Sequence, residues 1–151
     1  MESQTFVFFG IAGSGKGTQV KLLQDFLKAR DGREVVYAYP GSEYRKVIES
    51  STETGSLVKT ILDQGGLQPD FLTDSIFINF LINDISLEKH LIADGYPRTI
   101  PQSVCFEDAM KFYGRKDIKL IYIKISHDEA MKRNLLRGRH DDTKEGIEKR
   151  F

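Results

Sequence analysis

A glycine-rich stretch at residues 10–18, GIAGSGKGT, has the residue types and spacing most suited to chemistry. It follows the apolar run Thr5–Phe9 and precedes a helical pattern that begins near Lys16. Glycines allow successive backbone N–H groups to point inward, the helix start adds partial positive charge, and a lysine can reach outer phosphates. The order of strand, glycine-rich loop and helix therefore predicts a loop that binds the phosphates of a nucleoside triphosphate.

Asp94 is the second candidate, because it directly follows a short apolar segment at residues 90–93 that predicts a strand. An acidic residue beside a phosphate-binding loop can hold Mg2+ through water, next to the β- and γ-phosphates. Considered alone, Asp94 is equally consistent with a turn residue at a strand end. Together with the loop it supplies the minimum set of groups for phosphoryl transfer, with Mg2+ as the cofactor.

Arginines form the third group of candidates. During phosphoryl transfer, charge spreads over the oxygens of the moving group, and a planar guanidinium binds two such oxygens at once. Arg133 and Arg137 are four residues apart on one predicted helix, where we expect them to repel each other unless an anion bridges them. The other arginines at element starts, at loop tips or near the chain end are Arg45, Arg98, Arg139 and Arg150.

The overall composition limits the classes of function. The 22 basic residues balance the 22 acidic ones, so we expect neither nucleic acid nor an anionic membrane as a partner. The single cysteine, Cys105, excludes an internal disulfide and a cysteine-rich zinc site. The three histidines lack the spacing of metal ligands. No apolar run is long enough to cross a bilayer, and these features together favour a cytoplasmic protein.

The apolar pattern predicts the elements that must position the candidate residues. Strands are expected at residues 5–9, 34–39, 90–93 and 118–125, and helices at residues 16–31, from 69, at 101–112, at 126–137 and from 143. A longer, polar-rich helical segment at residues 42–62 follows the second strand. The alternation of strands and helices predicts one α/β domain with a parallel sheet.

The motifs in combination resemble those of the adenylate kinase family of nucleoside monophosphate kinases. The resemblance rests on residues 10–18 with their uncommon Lys-Gly-Thr ending, on residues 94–99, DGYPRT, and on Gln102. It covers nearly the whole chain. It implies a three-layer P-loop NTPase fold with about four strands in the order 2-3-1-4. It also implies a single kinase domain at 1–151, an inserted monophosphate-binding subdomain at 41–68 and a very short lid at 138–142.

The resemblance also implies roles for individual residues. ATP would be bound by Gly13, Ser14, Gly15, Lys16, Gly17, Thr18, Arg133 and Arg137. The monophosphate would be bound by Gly41, Arg45, Gly66, Leu67, Gln68, Gly95, Tyr96, Arg98, Gln102, Arg139 and Arg150, with Gln102 contacting the base. The catalytic residues would be Lys16, Asp94, Arg98, Arg137, Arg139 and Arg150, and Asp94 would hold Mg2+ through water.

The implied reaction is the reversible transfer of the γ-phosphate of ATP to AMP, which gives two ADP. No residue has to act as a nucleophile because the acceptor is already an anionic phosphate, so catalysis would consist of alignment and charge neutralisation. Pro40 and Ser42 stand where the family usually has a hydroxyl residue and an aspartate, which leaves UMP, CMP or another monophosphate open as the acceptor. A chain that binds nucleotide without turnover is the further alternative.

Two other departures from the family pattern affect the expected structure. Ala12 replaces the usual proline in the loop, which loosens the turn without removing an N–H donor. The family continues beyond this sequence with another strand and helix, so the strand at 118–125 is expected to be an uncovered apolar edge. We expect either a fragment of a longer product or a short form completed by a partner, for example by a homodimer formed along that edge.

Overall fold

Four parallel strands form one sheet in the computed structural model, which describes residues 2–138 and 143–148. Numbered along the chain, they are β1 (Thr5–Phe9), β2 (Val35–Ala38), β3 (His90–Asp94) and β4 (Ile118–Tyr122). Their order in the sheet is β2-β3-β1-β4, as the family resemblance predicts. Val7 of β1 is paired with Ala93 on one side and with Leu120 on the other, so the loop after β1 leaves the middle of the sheet.

Seven helices lie in the described part of the chain. They are α1 (Lys16–Asp31), α2 (Pro40–Glu49), α3 (Glu53–Asp63), α4 (Asp70–Asp84), α5 (Ile100–Phe112), α6 (His127–Arg137) and α7 (Lys144–Glu148). The segment predicted at residues 42–62 is divided into α2 and α3, because Thr52 starts a new helix by accepting a hydrogen bond from the N–H of Gly55 at 3.1 Å. α2 begins earlier than predicted, at Pro40, since proline suits the first turn of a helix.

Helices cover both faces of the sheet. On one face, Val7 packs in a buried cluster with Phe77 of α4 and Phe106 of α5. On the other face, Phe8 packs with Val20 of α1. The sheet is therefore the middle of three layers, and the prediction of a three-layer α/β fold is confirmed.

β4 is an edge strand with exposed apolar side chains. Leu120 is 70% exposed and Tyr122 is 67% exposed. They are paired in register with Val7 and Phe9 of β1, which contact the cluster that α4 and α5 cover. The expected apolar edge is thus present among the described residues. The strand ends at Tyr122, three residues earlier than predicted, at the position where β1 also ends.

Candidate phosphoryl-transfer site

The glycine-rich loop joins the carboxyl end of β1 to the amino end of α1. Gly13 and Gly15 have φ angles of +81° and +94°, which favour glycine because other residues are strained in this region. A Cβ atom on Gly13 would lie 2.6 Å from Nδ2 of Asn134 and 2.8 Å from the backbone oxygen of Ala130. The loop therefore lies so close to α6 that no side chain fits at Gly13.

Lys16 lies at the centre of the candidate site. Its ammonium group donates hydrogen bonds to two backbone oxygens of the loop, at 2.6 and 3.0 Å. Burial lowers the pKa of Lys16, the carboxylate of Asp94 opposes this shift, and the charges of Arg98 and Arg137 add to it. These four predicted site residues therefore lie close enough together to interact electrostatically.

Asp94, the last residue of β3, is 4% exposed. Its Oδ2 atom accepts a hydrogen bond from the hydroxyl of Tyr37 at 2.7 Å. Its Oδ1 atom is buried and has no hydrogen-bond partner among the described residues. A buried carboxylate oxygen without a partner costs free energy unless a ligand or an ordered water satisfies it.

This unsatisfied oxygen fits the predicted magnesium site. Mg2+ in kinases keeps several waters and is held by one or two carboxylates together with substrate phosphates. Within residues 2–138 and 143–148, no group of three or more His, Cys, Asp or Glu side chains could form a metal cage. The role of Asp94 in holding Mg2+ through water stays a prediction that this unsatisfied oxygen fits.

Gln102 connects the loop after β3 to α4. Its side chain, 2% exposed, accepts a hydrogen bond from the backbone N–H of Arg98 at 2.8 Å and donates one to Asp70 at 2.8 Å. The exposed Arg98 donates from Nε to the backbone oxygen of Gly95 at 2.7 Å. These bonds fix the orientation of the Gln102 amide beside Arg98, with one N–H and one lone pair remaining for a further partner.

Tyr96 has a fully buried side chain, although the resemblance implies that it binds the monophosphate. Its ring stacks on Phe77 with the centroids 4.1 Å apart, and its hydroxyl donates to Asp74 at 2.6 Å. Burial and the neighbouring Asp74 carboxylate raise the pKa of Tyr96. The side chain supports the loop from the core and is not accessible to a ligand. Only the backbone of Tyr96 could therefore contact a nucleotide.

The other acceptor-side candidates lie in α2 and in the connection between α3 and α4. Gly41 is in the first turn of α2, and the exposed Arg45 follows one turn later. Gly66, Leu67 and Gln68 form the connection. The buried Gln68 anchors it by donating to the backbone oxygen of Val58 at 3.0 Å, whereas Leu67 is 54% exposed.

Arg133 and Arg137 lie one turn apart at the carboxyl end of α6. The expectation that they repel each other unless an anion bridges them is wrong for Arg133, because its Nε atom donates to Glu129 at 2.6 Å one turn earlier. Arg133 also lines a cavity of about 700 Å³ together with Gly15 and Thr18 of the loop and α1. A cavity of this volume is in the range that holds a small-molecule ligand.

Asn134 is a functional candidate that the sequence analysis missed. Its side chain is fully buried, and its amide donates to the backbone oxygens of Ala12 and Ala130 at 2.9 Å each. The amide thereby ties the phosphate-binding loop to α6 at Ala12, the position where the family usually has proline. The sequence offered no comparable signal, because the burial of Asn134 beside the exposed Leu135 and Leu136 is known only from the structure.

Tyr37 and Tyr39 were also missed. Tyr37 contacts Asp94, and the ring of Tyr39 lies beneath the guanidinium of Arg45. Their signal in the sequence was a pair of hydroxyl-bearing aromatic residues at alternate positions, directly before Pro40. Such a pair points to one face of a strand.

Part of the predicted site lies outside the described residues. This applies to Arg139 and Arg150, and to residues 139–142 of the predicted lid. Their roles stay predictions.

The family model for adenylate kinase matches residues 8–151 of this chain. The chain belongs to the adenylate kinase family. It is 34% identical over 150 residues to the adenylate kinase of Azobacteroides pseudotrichonymphae, a match that covers 95% of this chain and 73% of that protein. It is 34% identical to the adenylate kinase of Prochlorococcus marinus, over 95% of this chain and 74% of the relative.

Other curated adenylate kinases are longer still. The match to the Thermosipho melanesiensis adenylate kinase is 34% identical and covers 84% of this chain but only 56% of that protein. The chain therefore spans between about half and three quarters of the length of these relatives. Membership of the family confirms the predicted P-loop NTPase fold and the predicted class, the nucleoside monophosphate kinases, which are phosphotransferases.

Across the described ranges, no helix is both long enough and apolar enough to span a membrane. The cytoplasmic location inferred from the sequence stays a prediction.

Proposed function

We propose that this chain transfers the γ-phosphate of ATP to AMP and forms two ADP. The observation that carries the proposal is the position of Asp94, which is paired in register with Phe8 of β1 and so lies at the sheet edge from which the loop with Lys16 emerges. Cations around a phosphate loop, with one carboxylate that has an unsatisfied oxygen, match the needs of phosphoryl transfer.

On the donor side, the loop and the amino end of α1 would bind the ATP phosphates through residues 13–18. Lys16 would exchange its two bonds to loop carbonyls for bonds to the β- and γ-phosphates, so its ammonium group stays satisfied in both states. Arg133 and the cavity beside it would receive the rest of the nucleotide. Asp94 would hold Mg2+ through water, and the bound ion would supply positive charge that neutralises the phosphates.

On the acceptor side, Arg45 and Arg98 would bind the phosphate of AMP, because both are exposed on segments that flank the carboxyl ends of β2 and β3. Gln102 would contact the base with the N–H and lone pair that its protein partners leave. The acceptor is itself a nucleophilic anion, so these residues contribute alignment and charge neutralisation rather than a covalent intermediate. The lid at residues 138–142 would exclude water, which competes as acceptor.

A different acceptor base is the second candidate function. Pro40 is buried in the first turn of α2, and the hydroxyl of Ser42 donates to the backbone oxygen of Tyr39 at 2.7 Å. Pro40 has no hydroxyl group and Ser42 has no carboxylate, whereas the family usually has a hydroxyl residue and an aspartate at these two positions. The pocket around the acceptor base therefore differs from that of the family. This difference favours a test with UMP, CMP and GMP as well as AMP.

The test is a coupled assay of ADP formation from Mg·ATP with each of the four monophosphates. We expect the highest kcat/KM with AMP and loss of activity in Lys16→Met, which removes the charge but keeps an unbranched side chain. A higher kcat/KM with UMP or CMP would identify that monophosphate, rather than AMP, as the acceptor. ATP binding without turnover of any monophosphate would show that the chain binds nucleotide only, and would contradict the proposal.

A further inference from the structure

Tyr37 of β2 and Tyr39, which directly follows the strand and precedes α2, connect the proposed donor and acceptor sides of the site. The hydroxyl of Tyr37 donates to Oδ2 of Asp94 at 2.7 Å. The rings of Tyr37 and Tyr39 are stacked, with centroids 5.9 Å apart and planes 12° from parallel. The guanidinium carbon of Arg45 lies 5.9 Å from the centroid of Tyr39, and its NH2 atom lies 3.4 Å from the Tyr39 hydroxyl. Side-chain contacts thus run without a gap from Asp94 to Arg45.

The ring of Tyr39 is also held by the backbone of α2. A Cβ atom on Gly41 would lie 2.6 to 2.7 Å from two ring carbons and the hydroxyl oxygen of Tyr39, so this side chain rests directly against the first turn of the helix. Pro40, between the two residues, restricts the backbone because its φ angle is fixed by the pyrrolidine ring. Tyr39 therefore has a defined position relative to the helix that carries Arg45.

We propose that Tyr37 and Tyr39 are positioning residues for the phosphoryl transfer described above, on which this inference rests. Tyr37 binds one oxygen of Asp94 and leaves the other, Oδ1, to face the metal and phosphates. Tyr39 supports the guanidinium of Arg45 from below, so that its N–H groups are directed toward the acceptor phosphate. The stack between the rings holds these two charged groups at a constant separation before either nucleotide binds.

The two contacts depend on different parts of the side chains, which makes them separable by mutation. The bond to Asp94 requires a hydroxyl group, whereas the contact with Arg45 combines an aromatic ring with one long hydrogen bond from the guanidinium to the Tyr39 hydroxyl. Tyr37→Phe removes the hydroxyl and keeps the stack. Tyr39→Leu removes the ring, and the conservative variant Tyr39→Phe keeps it.

The role of Tyr37 is tested by calorimetric titration of ATP into the 151-residue chain, once with Mg2+ and once with EDTA. In Tyr37→Phe we expect the Kd of Mg·ATP to rise about tenfold, because Asp94 loses a charge-assisted hydrogen bond and its orientation. The Kd of metal-free ATP should stay at its wild-type value, since that ligand does not use Asp94. An unchanged Kd for Mg·ATP, or an equal rise with and without metal, would overturn the role of Tyr37.

The role of Tyr39 is tested by measuring the Kd and the KM of the monophosphate. In Tyr39→Leu we expect both to rise about two- to fivefold, the usual effect of one exposed cation–π contact, while the KM of ATP stays constant. Tyr39→Phe should restore most of the monophosphate affinity, because it keeps the ring and loses only the 3.4 Å hydrogen bond from Arg45. Wild-type monophosphate affinity in Tyr39→Leu, or equal losses for both nucleotides, would overturn the role of Tyr39.

Phe112→Leu is the matched control, because it removes another aromatic contact, with Tyr113 at 5.0 Å, at the opposite end of α5 from the site. It should change neither affinity.

The proposed function can fail separately from this inference. A wild-type chain that binds both nucleotides without turnover would contradict the function, while the titrations still decide the tyrosine roles. A wild-type chain that binds no monophosphate would overturn both the function and the role of Tyr39.

Discussion

Gly13 shows how strictly single residues are constrained in the phosphate-binding loop. Its φ angle is +81°, and an added Cβ atom would meet Asn134 and Ala130 at less than 3 Å. Gly17, in the first turn of α1, has no atom within 4 Å of the corresponding position. The packing of the loop therefore requires glycine at position 13 but leaves room for a side chain at position 17.

We predict opposite effects of alanine at these positions on the free energy of unfolding. Gly13→Ala should lower it by about 1–3 kcal/mol through backbone strain and overpacking. Gly17→Ala should raise it by up to about 1 kcal/mol, because alanine favours the helix. Urea unfolding followed by circular dichroism measures both. Equal stability of the two variants would contradict the packing of the loop against α6.

The sequence suggested candidate residues whose chemistry is local and missed candidates whose role depends on distant contacts. Lys16 belongs to a continuous motif and Asp94 to a strand end, so residue type and spacing were sufficient. Tyr37 lies 57 residues from its partner Asp94, and Asn134 lies 122 residues from Ala12. Pairings over such distances follow from the tertiary fold, which residue spacing alone does not contain.

At the scale of elements, α6 is attached to the phosphate-binding loop chiefly through Asn134. Its amide satisfies the backbone oxygen of Ala12, and the neighbouring Gly13 leaves the room for this approach. α6 also carries Arg137 and Arg133, and Arg133 lines the cavity beside the loop. Asn134 therefore sets the position of two candidate phosphate ligands relative to the loop.

We predict that Asn134→Leu weakens ATP binding as well as the fold. Leucine has a similar size but no donor, so the partly buried carbonyl oxygen of Ala12 loses its partner, at a cost of about 1 kcal/mol in the free energy of unfolding. The carbonyl oxygen of Ala130 keeps its backbone hydrogen bond within α6. The Kd of ATP should rise because the loop and α6 are no longer held together. Leu136→Gln, at a neighbouring site that is 77% exposed, is the control and should change neither quantity. Wild-type ATP affinity in Asn134→Leu would contradict this prediction.

A second set of side chains ties the end of α1 to the amino ends of β1 and β3, away from the site. Asp31 accepts hydrogen bonds from Arg30 at 2.7 Å and from the backbone N–H of Arg33 at 3.2 Å. His90, fully buried, contacts Asp31 at 3.2 Å through Nε2 and accepts from the N–H of Gln4 at 2.9 Å through Nδ1. Because Nδ1 accepts, the hydrogen of the neutral ring is on Nε2 and is donated to Asp31.

We predict that this network makes stability sensitive to acid. The Arg30 guanidinium and His90 hold the pKa of Asp31 well below its usual value of 3.8. The folded state therefore binds fewer protons than the unfolded state, and the stabilisation is present above that value and lost as the pH falls below it. Between about pH 5 and pH 3, the free energy of unfolding should fall more steeply in the wild type than in Asp31→Asn. Parallel urea-unfolding curves across this range would refute the assignment.

At the scale of the whole molecule, the layers and the sheet followed from the sequence more completely than the site did. Runs of apolar residues located all four strands, and the family resemblance supplied their order. The division of the segment after β2 into α2 and α3 was not foreseen, because it depends on the cap at Thr52. The edge strand β4 exposes Leu120 and Tyr122, and pairing of two copies along it stays a prediction.

Transfer of phosphate between two nucleotides is tested most directly by counting products. The chain is mixed with ATP, AMP and Mg2+, and the nucleotides are separated by ion-exchange chromatography at successive times. We predict that two ADP form for each AMP consumed, that ADP added alone yields ATP and AMP, and that Lys16→Met forms none of these products. Loss of ATP without consumption of AMP, or no ADP from a chain that still binds ATP, would contradict the assignment of this chain as an ATP:AMP phosphotransferase.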